Sequence, residues 1–288
     1  MIISIVGPTG VGKTKMSVAL ALKYNAIIIN ADAMQVYKGL DIGTAKVTEE
    51  EKQGVSHLLF DICDVNEEYS VFNYQKDVRE ILERYKDRNI FFVGGTGLYL
   101  KAALYDYRFN YEEEKMDYSE YSNEELYELA KKKDPEMEIH VNNRIRLERF
   151  LTKEDNSVVP VKLYDHLIIG LTTERSILYD RINKRVDIMV QDGLLDEVRK
   201  FYEAGIKTKP LINGIGYKEL YKYFDGEYSL EEALDKIKQN SRHYAKRQYT
   251  FFNNQLDVNW FDVNFQDFDK TIDEVCSFIE REYYDRSK

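Results

Sequence analysis

The 288 residues are enough for one large domain or for a core with a sizeable appendage, and a hydrophobic content of 43% can fill an interior. A net charge of −10 argues against attraction of nucleic acid over the whole surface, although it does not speak for any local site. The two cysteines, Cys63 and Cys276, lack metal-type spacing and are too few for a disulfide framework, which sets aside cysteine-based metal and redox chemistry. No apolar run reaches the roughly 18 residues of a membrane span, and MIISIVG leads into a glycine-rich stretch without a basic region or cleavage site. The chain is therefore expected to be cytoplasmic and to make no membrane contact.

Short apolar runs bounded by turn residues fall at 2–6, 26–29, 58–62, 90–93 and 166–171, with helical patterns between the first four. Continuous apolar runs alternating with helices predict strands buried on both faces, hence a parallel α/β sheet flanked by helices. The first strand runs into GPTGVGKT, Gly7, Pro8, Thr9, Gly10, Val11, Gly12, Lys13 and Thr14, which satisfies G-x-x-x-x-G-K-[ST]. The helical pattern KMSVALALKY follows it. Such a loop turns backbone N–H groups onto phosphate oxygens at the positive end of a helix, while Lys13 adds a cation and the Thr14 hydroxyl can hold Mg²⁺. The motif does not say which phosphate ester it holds.

The second strand ends in NADAMQVYKGLDIGTAK, residues 30–46. Asp32 stands at the carboxyl end of that strand, the edge at which parallel sheets bind ligands. It is either a displaced Mg²⁺ ligand or a group that reacts directly. The fourth strand ends in GGTGLY, where a P-loop NTPase commonly carries a magnesium-binding Asp. Here it has glycines, and Thr96 is a candidate helix cap. A plain strand-to-helix turn explains that loop as well as a ligand contact does.

Residues 106–162 contain no comparable strand. The stretch is charged, Tyr-rich and helix-like, with eight acids against Lys115 alone between 112 and 128, and SNEELYELAKKKDP offers Ser122 or Asn123 as an N-cap. It predicts a helical domain inserted into a core formed by 1–105 and 163–288. After the fifth strand, TTERSILYDRINKRVDIMVQDGLLDEVRKFYEAG predicts a helix with Ile177, Ile182, Val186, Met189 and Val190 along one stripe and Gly205 as a stop.

Between 236 and 256 there are five positive residues and no acid, and Lys238, Arg242 and Lys246 recur every four positions. Such a stripe is commonly solvated surface. Tyr244, Tyr249, Phe251 and Phe252 interleave aromatics that suit either a core-facing side or a nucleic-acid surface. The four histidines share no metal-ligand spacing, and structural roles are expected for His140 and His166.

In order, GPTGVGKT, NADAMQVYKGLDIGTAK, HLLFDI, GGTGLYLKA, IHVNNRIRLERFL, DRINKRVDIMVQDGLLDEV, INGIGYKEL and SRHYAKRQYTFF resemble the tRNA dimethylallyltransferase family, also called tRNA isopentenyltransferases. The likeness covers nearly the whole chain and is weakest at 106–134. It implies a P-loop NTPase-like core with an inserted helical domain that clasps the anticodon stem-loop of tRNA. It further implies transfer of the dimethylallyl group of dimethylallyl diphosphate to N6 of the adenosine 3′ of the anticodon, with Mg²⁺ present and diphosphate released.

Carried over by position, the resemblance gives residues 7–14 to the donor's diphosphate, with Lys13 and Thr14 in the catalytic machinery, and makes Asp32 the general base. It assigns Ala33, Met34 and Gln35 to the target adenosine, Thr96 to a tRNA contact, and Arg242, Lys246, Arg247 and Gln248 to a tRNA-contacting helix. A monomer is expected. The chain departs from the family at Ala33, often Ser, at Asn213, where some members carry Arg, at Phe251, where Trp is favoured, and at His140-Val141-Asn142-Asn143, usually H-P-N-D. Two other readings compete: a P-loop small-molecule kinase and a non-catalytic RNA-binding module.

Overall fold

The computed structural model describes residues 1–107, 117–152 and 161–284. Residues 112–116 of the acidic stretch lie outside these. The chain divides into two compact units, Met1–Asp106 with Lys162–Lys288, and Tyr107–Val161.

The larger unit begins β1 (Ile2–Val6), α1 (Lys13–Tyr24), β2 (Ala26–Asn30), α2 (Glu49–Lys52), β3 (His57–Leu58), α3 (Val71–Arg84), β4 (Asn89–Val93) and α4 (Gly97–Leu104). In the smaller unit are α5 (Asn123–Lys133) and α6 (Arg144–Thr152). The chain continues through β5 (Leu167–Thr172), α7 (Arg175–Gln191), α8 (Leu194–Glu203), α9 (Lys209–Asn213), α10 (Tyr217–Phe224), α11 (Leu230–Gln255), β6 (Asn259–Asp262) and α12 (Phe268–Tyr284).

Among the described residues the strands form one six-stranded sheet in the order β3-β2-β4-β1-β5-β6, every pair parallel. The fold is the expected α/β architecture: Ile3 and Ile5 of β1 and Ile27, Ile28 and Ile29 of β2 are buried because helices cover both faces. No helix of the described residues is long and apolar enough to cross a membrane.

Four details differ from the sequence expectations. The third strand is two residues, not five, because Leu59 and Asp61 take φ of 62° and 54° and turn the chain out of the extended region. A sixth strand, β6, lies at the far edge, where its half-buried NWFD gives no continuous apolar run. The long pattern after β5 is two helices, broken where Gly193 takes φ of 103° and caps α8. The buried stripe of α7 is Leu178, Ile182 and Val186, whereas Ile177 is exposed. Gly205 does terminate α8, with φ of 70° and its N–H bonded to Tyr202 O.

In the smaller unit Ser122 caps α5 in a reciprocal box with Glu125, and Leu126, Ala130 and Leu147 form the centre of a small apolar cluster. The Arg144 guanidinium donates to Tyr118 O and Tyr121 O and pairs with Glu148, which ties the start of α6 to the segment before α5. His166 is buried in the larger unit, its Nδ1 on Tyr164 O and its ring edge-on to Tyr105, which suits the structural role expected for it.

The strand order sets the geometry of the carboxyl edge. Because β4 lies between β1 and β2, its glycine loop separates the phosphate loop after β1 from the Asp32 turn after β2. The separation is narrow: a Cβ on Gly94 would collide with the Ala31 backbone and one on Gly95 with Gln248 Nε2 of α11. We expect Gly95→Ala to destabilise the protein by about 1–3 kcal/mol, the usual cost of overpacking. The urea denaturation midpoint checks this.

Candidate active site

The phosphate loop, the Asp32 turn and residues from α7, α9 and α11 line one cavity of about 800 Å³ in the larger unit. Lys13 Nζ donates to Gly7 O at 3.0 Å and to Pro8 O at 2.9 Å, so the ammonium braces the loop that precedes its own helix. Burial lowers its pKa to about 8, against the opposing pull of the Asp32 carboxylate. Thr14 opens α1 and lines the same cavity.

Asp32 is held by its own turn. Asn30, fully buried, accepts the Asp32 N–H at 2.8 Å and donates from Nδ2 to Asp32 O and Leu59 O. The Asp32 carboxylate in turn accepts the Met34 N–H at 2.9 Å. Burial raises the carboxyl pKa; hydrogen bonds from the Met34 and Gln35 backbone and the charge of Lys13 oppose this without reversing it. The cation and the carboxylate of this cavity are thus both pushed toward their neutral forms.

The other positions singled out in the sequence take more varied places. Thr96 stands at the N-cap of α4 but does not cap it: its hydroxyl accepts the Ala33 N–H at 3.0 Å, joining the second glycine loop to the Asp32 turn. Met34 lines the cavity, and Gly214, just past α9, approaches it so closely that a Cβ there would meet Met34 Cε at 2.7 Å. Gln35 Nε2 donates to Thr44 O at 2.9 Å and to Ala45 O at 3.3 Å.

Gln248, expected on an RNA surface, is only 4% exposed. Its Oε1 accepts the Thr9 N–H and its Nε2 donates to Gly95 O, both at 3.1 Å, so it clamps the phosphate loop to the second glycine loop. The basic stripe is also divided. Lys238 pairs with Asp187 at 2.6 Å, and Arg242 donates to Asn183 Oδ1 at 2.6 Å, both partners on α7. Lys246 and Arg247 are exposed. Among the aromatics, Phe252 is buried, Tyr249 shares a hydrogen bond with Thr172, and Tyr244 lines the cavity with its hydroxyl pKa raised by burial.

Two cavity residues escaped the sequence reading. Arg181 and Arg185 stand one turn apart on α7; Arg181 Nε donates to Gly10 O at 3.0 Å, and its guanidinium lies 3.9 Å from the centre of the Phe265 ring. Burial lowers the pKa of both; for Arg185 the charges of Glu51 and Asp32 oppose the shift and that of Arg181 adds to it. Their i, i+4 spacing in DRINKR is the signal that would have found them. With Lys13, Lys15, Lys184, Lys209, Lys218 and Arg247 they make the cavity lining strongly cationic, a setting for a multiply charged anion.

As to a metal, no group of three or more His, Cys, Asp or Glu side chains is poised to hold one among the described residues. Among the oxygen donors of the cavity, the Thr14 hydroxyl beside the phosphate loop fits a hard cation that keeps most of its coordination for water and phosphate oxygens. Cys63 and Cys276 are buried, free thiols away from this chemistry.

Fold and site together define a P-loop α/β protein with a cavity lined by cationic side chains and by the Asp32 carboxylate. The IPP transferase family model matches residues 35–255. The tRNA dimethylallyltransferase of Halalkalibacterium halodurans is 43% identical over 100% of this chain and 99% of its own length. The solved tRNA isopentenylpyrophosphate transferase from Bacillus halodurans is 44% identical with a TM-score of 0.78, over 99% of this chain and 97% of that one. A eukaryotic dimethylallyltransferase acting on tRNA is 27% identical with a TM-score of 0.83, over 99% of this chain and 79% of that one. The chain belongs to the IPP transferase family.

The pKa of Lys13 gives the cavity a pH signature. Its ammonium is held below the ordinary lysine value, so it loses its proton, and its attraction for an anion, as pH rises through about 8. Affinity for inorganic diphosphate, measured by calorimetry, is expected to fall above that pH in the wild type. In Lys13→Met it is expected to be weaker and to lack that step.

Proposed function

We propose that this chain transfers the dimethylallyl group of dimethylallyl diphosphate to N6 of the adenosine 3′ of the anticodon in tRNA, releasing diphosphate. The observation that carries the reading is the shared cavity, where a phosphate loop and the cations Lys13, Arg181 and Arg185 face the same space as a carboxylate of raised pKa. In a member of this family, those are the two halves of an alkyl transfer from a diphosphate ester.

The chemistry requires both halves. An exocyclic adenine amine is a weak nucleophile, its lone pair delocalised into the ring. As the N6–C1 bond forms and the allylic C1–O bond breaks, Asp32 takes the amine proton. The loop amides of residues 7–14, Lys13, Arg181 and Arg185 receive the charge that grows on the leaving diphosphate. Here the phosphate loop stabilises a leaving group rather than a transferred phosphoryl group. Mg²⁺, when bound, supplies further charge neutralisation, and Thr14 is the residue that would hold it.

Ala33, Met34, Gln35 and Thr96 form the nucleoside's side of the site, and a base must leave its stack to reach it, which favours a single-stranded loop as target. The exposed Lys246 and Arg247, with Arg242 beside them, meet the tRNA backbone, while Gln248 serves from beneath by fixing the two loops. Residues 107–161 supply further contacts to the anticodon stem-loop. On this reading the chain is a cytoplasmic monomer.

Incubation with labelled dimethylallyl diphosphate, Mg²⁺ and unmodified tRNA carrying adenosine 3′ of the anticodon is expected to label that nucleoside, identified by mass spectrometry. Absence of label on every such tRNA would refute the reading. Asp32→Asn is expected to keep tRNA affinity and to lose roughly 10²- to 10⁴-fold in turnover, the usual range for a general base. Turnover within a few-fold of wild type would remove Asp32 from that role. Lys246→Ala is expected to lower the slope of log affinity against log salt by about one, as one phosphate contact is lost.

A further inference from the structure

Residues 40–46, the LDIGTAK end of the segment that holds Asp32, belong to no helix or strand; Ala45 and Lys46 donate within the loop, to Ile42 O and Asp41 O, while the N–H groups of residues 41–43 need partners from elsewhere. They find one in a single side chain about 155 residues away. Glu197, on α8 and 8% exposed, accepts the Asp41 N–H at 3.0 Å and the Ile42 N–H at 2.7 Å on Oε2. Its Oε1 accepts the Gly43 N–H at 3.0 Å and the Tyr217 hydroxyl at 2.6 Å. Three consecutive amides and one phenol thus converge on one buried carboxylate, two donors on each oxygen.

Tyr217, fully buried, lies against Gly43, where a Cβ would come within 2.7 Å of its ring. Burial and the neighbouring carboxylate hold its hydroxyl in the protonated, donating form. Residue 43 must be glycine for the carboxylate and the phenol to reach the loop together.

The clamp leads to the reaction centre in three steps. Fixing residues 41–43 fixes the carbonyls of Thr44 and Ala45 directly after them. Those carbonyls are the two acceptors of Gln35 Nε2. The Gln35 backbone N–H in turn bonds the Asp32 carboxylate. Within the function proposed above, on which this inference rests, we propose that Glu197 is a positioning residue for the nucleoside side of the site, acting through residues 41–45 and Gln35. It touches neither substrate.

The path predicts a pattern that a general packing role does not. Glu197→Gln can keep its carbonyl oxygen on the Asp41 and Ile42 amides, but its NH₂ then faces the Gly43 N–H and cannot accept it. The loop is released at Gly43, next to the carbonyls that hold Gln35, while the phosphate loop is held independently by Gln248 and Lys13. With the full-length protein, Mg²⁺, dimethylallyl diphosphate and unmodified tRNA, kcat/KM for tRNA is expected to fall about tenfold, as for a modest misplacement at a reaction centre. Affinity for inorganic diphosphate is expected to stay within about twofold of wild type.

The decisive measurement is a double-mutant cycle. If Glu197 acts through Gln35, Glu197→Gln combined with Gln35→Ala should be no worse than the poorer single variant. Multiplicative losses, an unchanged kcat/KM for tRNA, or an equal loss of diphosphate affinity would each overturn the proposal. Should Glu197→Gln fail to fold, Tyr217→Phe removes one of the four donors, keeps the charge, and is run through the same cycle with Gln35→Ala against the same criteria. A wild-type chain that transfers no prenyl group overturns the reaction assigned above and this proposal with it. A transferring wild type with additive variants overturns the proposal alone.

Discussion

The rest of the site depends on keeping a cation and a carboxylate in one cavity without letting them neutralise each other by contact. Burial presses Lys13 toward the amine and Asp32 toward the acid, and the attraction between them opposes both shifts. Direct pairing would satisfy both and leave neither for a ligand. The fold avoids it by giving each a backbone partner: Lys13 is spent on the carbonyls of its own loop, and Asp32 on the amides of its own turn. Opposite charges in a desolvated cavity interact strongly, so the arrangement holds only while the two loops are kept apart.

That spacing is the work of β4. The strand lies between β1 and β2, and its terminal glycines let a backbone without side chains pass between the phosphate loop and the Asp32 turn. Thr96 then ties this loop to Ala33 on one side, and Gln248 ties it to Thr9 on the other. The loop that lacks the usual magnesium-binding acid is therefore the spacer between the two halves of the site. The cavity's Asp32 stands on the neighbouring strand end, after β2.

How much of this the sequence reveals follows from the range of each interaction. The phosphate loop, its flanking strand and helix, and the Ser122 cap are local, and their residue types and spacing are sufficient to read them. Asp32 is legible because it follows an apolar strand directly. Thr96 misleads because the same position that predicts a cap also faces Ala33, and only the strand order shows which partner is present. The stripe of Lys238 and Arg242 has the right period for a solvent face, yet Asp187 and Asn183 of α7 take both side chains. The clamps made by Gln248 and Glu197 could not be read, because their partners are backbone amides 239 and about 155 residues distant, and nearly any residue type supplies those.

Glu197 of α8 and Asp32 show how two acids that contact the NADAMQVYKGLDIGTAK segment divide support from the proposed reaction. Glu197 receives four donors, two on each oxygen, and a carboxylate so engaged has no free lone pair for an incoming proton. Asp32 is bonded by the neighbouring backbone of Met34 and Gln35 and lines the cavity. The role proposed for Asp32 needs an unshared lone pair and a raised pKa, and both follow from this poorer solvation. The same principle explains why Glu197 is the better anchor. Removing a donor from a saturated buried carboxylate leaves charge unmet, so the loop it holds has one low-energy position, and Gln35 inherits that position.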